Sequence, residues 1–347
     1  MSLIVDIRKD LGGFKLEASF EAENGITCLL GSSGCGKSLT LKCIAGIEKP
    51  DRGRIELDGR VLFDSRRHVN LRPQERRVGY LFQNYALFPN MTVRQNLLCG
   101  LHREKDKGHR EGRVKEMLRM LRLEELENRK PSQLSGGQQQ RAALGRILLS
   151  EPKLLMLDEP FSALDAHLRD SLKIELRDML LHYGREVLMV THSREEAYTM
   201  SSRIAVMDQG RLLCVKDTKE LFADPGSVAA AVLTGCKNIA EARKTGDHEV
   251  EVPAWGIRLE TAQPVGDGLK AVGIRAHYFN PSARQNRFGV EFVETMEEPF
   301  ESTLQFRCRG QDPVSPPIWW RVPKDRLPQR FPEELGVAPA NVLLLYE

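Results

Sequence analysis

Ile26-Thr-Cys-Leu-Leu30, Gly31-Ser-Ser-Gly-Cys-Gly-Lys-Ser38 and the overlapping run Lys37-Ser-Leu-Thr-Leu-Lys-Cys-Ile-Ala45 decide the fold. The first is a short β-type apolar run, the second a glycine loop, and the third a helix that Gly46 stops. Strand, loop and helix in this order build a phosphate cradle. Backbone N–H groups must point inward at the phosphates, and a side chain at Gly34 or Gly36 would force unfavourable backbone angles or block the approach. Lys37 then reaches the β- and γ-phosphates of a nucleotide, and the Ser38 hydroxyl is placed to bind Mg²⁺. The dipole of the following helix adds to the attraction for an anion. By itself this loop leaves GTPases and kinases open.

Downstream, Pro50-Asp-Arg-Gly53 and Arg54-Ile-Glu-Leu-Asp-Gly59 give turn, strand and turn. From Thr92 to Leu149 the spacing becomes helical, with Val114, Met117, Leu118 and Leu121 on one face. Strands are then expected at Leu154 to Leu157, Val187 to Val190 and Ile204 to Met207, with a helix around Leu168 to Leu181 and a hairpin at Asp208-Gln-Gly210. After the helical stretch Val228 to Leu233, short β-type runs at 248–252, 257–261, 271–274, 290–293, 318–322 and 342–345 are separated by Pro and Gly, which suggests a small barrel. The expected architecture is an α/β domain over residues 1–235 with a helical insert at about 92–149, followed by a small β-rich domain over 236–347.

Leu134-Ser-Gly-Gly-Gln138 narrows the class. An accidental match is expected in roughly one chain in a hundred of this length for the phosphate loop, but only about once in ten thousand for this pentapeptide. The pair resembles the ATP-binding cassette ATPase family. Leu154-Leu-Met-Leu157-Asp158-Glu159 puts two acids at the end of a buried strand, where a parallel sheet presents its ligand-binding edge. The resemblance implies that Asp158 holds Mg²⁺ with Ser38, and that Glu159 polarises the attacking water as general base. It implies further that Gln83 contacts Mg²⁺ and the water, that His192 contacts the γ-phosphate, and that Ser162-Ala-Leu-Asp165 is the D-loop, with Asp165 at the nucleotide. ATP contacts are expected from Gly31, Ser32, Ser33, Gly34, Cys35, Gly36, Lys37, Ser38 and Leu39. Ser135, Gly136, Gly137 and Gln138 start a helix and offer its dipole to an anion; in the family, two cassettes pair head to tail and each signature caps the ATP of its partner. A second copy of the chain is therefore an expected partner.

Composition sets the remaining bounds. Lys and Arg number 51 against 48 Asp and Glu, a net charge of +3, which gives no sustained basic stripe for nucleic acid. No apolar run is long enough to cross a bilayer, and Met1 to Asp10 alternates apolar and charged residues as a first strand would. Seven cysteines without C-x-x-C spacing suggest reduced cytosolic thiols. Cys35 is expected to be a small tolerated loop residue rather than an oxidation switch.

A single cassette with no span of its own and a β-rich extension is similar to importer ATPases, which implies permease partners, an indirect link to a substrate-binding protein, and residence at the cytoplasmic face of the membrane. Leu87, Phe88 and Met91 are candidates for a groove that receives a permease helix, with a place in the core as the alternative. Leu11 stands where many members carry an adenine-stacking aromatic, and Phe14 is the substitute. Val272-Gly-Ile-Arg275-Ala-His277 resembles a motif of the transport-associated OB-type domain, with Ala276 in place of the expected Pro. Arg275, His277 and Lys270 are candidate oxyanion donors, although ordinary solvated charge is the expectation. Residues 54–100 are most similar to the molybdate-importer branch, so molybdate is the expected cargo, with sulfate, tungstate or iron import and a soluble ABC ATPase as alternatives.

Overall fold

A computed structural model describes residues 2–23, 25–162 and 166–346. Packing divides the chain into two units, 1–218 and 219–347.

The first unit is organised by a mixed eleven-stranded sheet. Its strands are β1 (Ser2–Asp10), β2 (Lys15–Glu23), β3 (Ile26–Gly31), β4 (Arg52–Leu57), β5 (Arg60–Asp64), β6 (Val69–Asn70), β7 (Val78–Leu81), β8 (Leu154–Asp158), β9 (Glu186–Thr191), β10 (Arg203–Asp208) and β11 (Arg211–Asp217). They lie in the order β6-β5-β4-β1-β2-β11-β10-β3-β9-β8-β7. The run β10-β3-β9-β8-β7 is parallel throughout, and β3, β8 and β9 are buried along their whole length, which is why they appear as unbroken apolar runs. The β1-β2 and β1-β4 pairs are antiparallel, and both β1 and β2 alternate buried and exposed residues.

Parallel strands point their C-terminal ends one way, so the loops after β3, β7, β8 and β9 gather on one edge of the sheet. Helix α1 (Lys37–Ala45) follows β3 directly. Its C-terminus is held by Arg76, one of the most deeply buried large side chains, which donates to the carbonyls of Cys43 and Ile44 at 2.8 Å and to Leu71 O at 2.9 Å. A basic group there satisfies carbonyls that the helix leaves open.

The expected helical insert is present as α2 (Val93–Gly100), α3 (Lys107–Met120) and α4 (Gly136–Leu149) around their own apolar cluster. Val114, Leu118 and Leu121 are buried in it, and Met117 packs at its edge. Helices α5 (Ala166–Tyr183) and α6 (Arg194–Met200) flank β9 in sequence.

The second unit begins at helix α7 (Thr218–Ala223) and continues through α8 (Val228–Leu233), so it takes in a helical stretch that the change of texture near residue 235 places before the boundary. Three short sheets follow: β12 (Asn238–Glu241) with β16 (Ala271–Ile274) and β21 (Leu343–Leu345); β13 (Arg243–Gly246) with β14 (Glu249–Val252) and β15 (Ile257–Glu260); and β17 (Phe288–Glu297) with β18 (Glu301–Cys308), β19 (Ile318–Pro323) and β20 (Glu334–Leu335). They enclose a core containing Phe279, Phe288, Phe306 and Trp320. The first unit is thus α/β and the second β-rich, as the sequence implies.

Candidate functional site

The phosphate loop has the backbone its glycines predict. Gly34 and Gly36 adopt φ of 80° and 106°, the left-handed region that side chains disfavour. At Gly36 a Cβ would also meet Leu16 and Phe14 at 3.0 and 3.1 Å, whereas at Gly34 backbone strain is the sole objection. Lys37 is buried and its Nζ donates to Gly31 O at 2.9 Å and Ser32 O at 2.7 Å. The ammonium therefore waits at the loop on neutral carbonyls. Ser32, Ser33 and Gly34 are exposed. Leu39 turns its side chain to the core, so only its backbone is available to a ligand.

Cys35 is buried beside Lys37, with Sγ 3.8 Å from Nζ. Burial pushes its thiol up, and the Lys37 charge opposes this only in part. A thiol held protonated is a poor nucleophile, in keeping with the packing role expected of it.

At the end of β8, Ser38 Oγ donates to Asp158 Oδ1 at 2.7 Å, bringing the first turn of α1 to a strand end. Tyr80, on β7, donates its hydroxyl to the other oxygen, Oδ2, also at 2.7 Å. Sequence reasoning missed Tyr80; its signal is a polar tip in a buried strand, which requires a partner. Burial first, and the Asp158 carboxylate second, push the Tyr80 hydroxyl well above its usual range, so it is a donor at any ordinary pH.

Glu159 has φ of 47°, which is strained for a residue with a side chain. Its N–H donates to Val190 O at 3.0 Å, tying the turn after β8 to β9. His192 follows β9, and Ser193 after it caps α6 by accepting from Glu196 N–H. The result places His192 Nδ1 3.2 Å from Glu159 Oε1. Two residues far apart in sequence thus form one polar pair beside the Ser38 and Asp158 pair.

Gln83 lies in the loop after β7 and is exposed. In the same loop Tyr85 and Ala86 adopt φ of 58° and 46°, strain of about 1–3 kcal/mol each. Leu87 packs into the helical cluster, while Phe88 and Met91 are 46% and 38% exposed. Asp165 lies outside the described residues.

Ser135 is the N-cap of α4: it accepts from Gln138 N–H at 3.4 Å, and Gln138 Oε1 accepts from Ser135 N–H at 2.9 Å. Gly137 is buried against Leu172, where a Cβ would come within 2.7 Å. Among the described residues no hydrogen bond or ion pair joins Ser135–Gln138 to the phosphate loop.

A cleft of about 670 Å³ beside the loop is lined by Phe14, Ser32, Ser33, Gly34, Gln209 and Arg211, among others. Phe14, not Leu11, borders it. Among the described residues no group of three or more His, Cys, Asp or Glu could hold a metal. One hydroxyl and one carboxylate, both hard oxygen donors, suit Mg²⁺, which completes its shell with water and phosphate oxygens.

In the second unit Arg275 is buried, and donates to Thr234 O at 2.7 Å and Phe222 O at 2.6 Å. This overturns both its candidacy as an oxyanion donor and the expectation of solvated charge: the guanidinium ties α7 and α8 to the β-rich core. Partial burial, then the Arg275 charge, hold His277 below its usual range, so it carries little charge at pH 7. Lys270 is exposed.

The family model described as ABC transporter matches residues 17–162. A sulfate/thiosulfate import ATP-binding protein (CysA 2) of Chromobacterium violaceum is 42% identical over 254 residues, covering 73% of this chain and 68% of its own. The chain belongs to the ABC transporter ATPase family. Another relative, the spermidine/putrescine import ATP-binding protein PotA of Oleidesulfovibrio alaskensis, is 41% identical over 280 residues, 77% of this ABC ATPase and 74% of its own length. A solved ATP-binding cassette, dimeric and bound to ADP and Pi after hydrolysis, matches with a TM-score of 0.52 and 28% identity over 63% of this chain and 99% of that one. Among the described residues no helix is long and apolar enough to cross a membrane.

Proposed function

We propose that this chain is the ATP-hydrolysing subunit of an ABC importer and works as two copies bound to membrane permease subunits. The observation that carries this reading is the contact of Glu159 with His192, 3.2 Å apart, next to the 2.7 Å contact of Ser38 with Asp158 at the sheet's ligand-binding edge. Lys37 exchanges the carbonyls of Gly31 and Ser32 for β- and γ-phosphate oxygens, and the N–H groups of the loop bind the remaining charge. Ser38 and Asp158 would hold Mg²⁺, which would supply charge neutralisation at the phosphates. Glu159 takes the proton of the attacking water, His192 fixes Glu159 and reaches the γ-phosphate, and Gln83 would contact Mg²⁺ and the water. Ser135, the exposed N-cap of α4, serves the ATP of the second copy, and the dimeric, nucleotide-bound relative supports that arrangement.

Phe88 and Met91, exposed in the strained loop after Gln83, are the residues through which a permease helix reaches the site at the cytoplasmic face. For cargo, the sulfate/thiosulfate relative supports a small oxyanion and puts sulfate, an alternative in the sequence reading, ahead of the expected molybdate. The spermidine/putrescine relative supports a polyamine as the second reading. Uptake of labelled sulfate, molybdate, tungstate, iron and putrescine, in cells with the wild type, Glu159→Gln or no chain, tests both. Uptake that requires the wild type identifies the cargo; no dependence for any of them refutes the importer reading.

A further inference from the structure

Asp158 has both carboxylate oxygens occupied by hydroxyl donors, and the two donors differ in kind. Ser38 belongs to the phosphate loop and has a family-type role toward Mg²⁺. Tyr80 comes from the interior of β7, whose parallel register with β8 sets Tyr80 opposite Met156, two residues before Asp158. Its ring meets that of Phe82 at 4.3 Å between centroids, and Phe82 immediately precedes Gln83. The Tyr80 side chain thus touches the metal-side carboxylate with its hydroxyl and the residue before Gln83 with its ring.

A carboxylate turns readily about its last torsion, because that torsion has broad, shallow wells. A hydroxyl bonded to Oδ2 removes this freedom and leaves Oδ1 facing Ser38. We propose that Tyr80 is a positioning residue for the metal-holding carboxylate, its hydroxyl bond to Asp158 Oδ2 aiming Oδ1 at the Mg²⁺ that accompanies ATP. The inference rests on the reading of Asp158 and Ser38 as the metal side of the site. Loss of an outer partner of a metal ligand lowers metal affinity by about 10- to 100-fold.

The test uses the full chain carrying Glu159→Gln, so that ATP persists, with and without Tyr80→Phe or Asp158→Asn. ATP affinity is measured in EDTA and across a Mg²⁺ titration, and Mn²⁺ binding is read directly by electron paramagnetic resonance. Urea unfolding separates any loss of stability. Tyr80→Phe keeps the ring, so its EDTA affinity should stay within about twofold of the parent, while its Mg²⁺ midpoint and Mn²⁺ dissociation constant rise about tenfold. An unchanged midpoint in a folded Tyr80→Phe, with Asp158→Asn losing its metal response, overturns the role of Tyr80 alone. A normal metal response in Asp158→Asn overturns the metal-side reading itself, and Tyr80's role with it.

Discussion

The phosphate loop and the signature at the start of α4 are both glycine-rich helix N-termini, yet the chain treats them differently. Around the loop, Lys37 bonds the carbonyls of its own loop, and three contacts reach across distant segments: Ser38 and Tyr80 to the Asp158 carboxylate, and His192 to the Glu159 carboxylate. At the signature, the side chains of Ser135 and Gln138 bond each other's backbone N–H groups in a capping box, with no bond from them to a distant segment among the described residues, and Ser135 is exposed. One region is tied together by side-chain bonds and the other is closed on itself. The difference teaches that the chain carries two unlike halves, which would form one site if, as proposed, a second copy supplies the half that each lacks.

The largest effect expected is that of Glu159→Gln, which removes the base and leaves the phosphate loop intact. Steady-state ATP hydrolysis should fall by about 10³-fold, within the range general base catalysis supplies. Near-normal turnover would remove Glu159 from that role. Lys37→Ala strikes the same region at the binding step: ATP affinity measured by calorimetry should fall about 100-fold, since a charge-assisted contact with phosphate is lost. Unchanged affinity would contradict the phosphate-loop half of the comparison.

Arg275→Ala tests whether a third region is a site at all. It leaves the carbonyls of Thr234 and Phe222 without their donor, so the second unit should lose about 3 kcal/mol in urea unfolding. Retained stability with lost oxyanion binding would restore the donor reading. Cys35→Ser should change hydrolysis by less than about twofold. Because burial raises the Cys35 thiol, its thiolate is scarcer in the folded chain than in the unfolded one at pH 8, and iodoacetamide should label it more slowly in the folded chain.

What was legible in the sequence was local or periodic. The β3-loop-α1 unit, the buried run of β8 and the Val114 to Leu121 face of α3 could be placed because the glycines and apolar spacings that form them are neighbours in the chain. What was not legible depends on partners distant in sequence. Arg76 and Arg275 look like surface charge until the carbonyls they satisfy are seen, and Tyr80 looks like any strand aromatic until Asp158 lies beside it. Strand β18 was missed because Ser302, Thr303 and Gln305 are polar residues buried in it, which breaks the apolar signal of a core strand.

The claim that two unlike halves meet is tested most directly by sedimentation of Glu159→Gln with ATP. It should run as a dimer with ATP and as a monomer without nucleotide, and adding Ser135→Arg should keep it monomeric while ATP still binds. A Glu159→Gln chain that stays monomeric at saturating ATP, or a dimer indifferent to Ser135→Arg, would contradict the account.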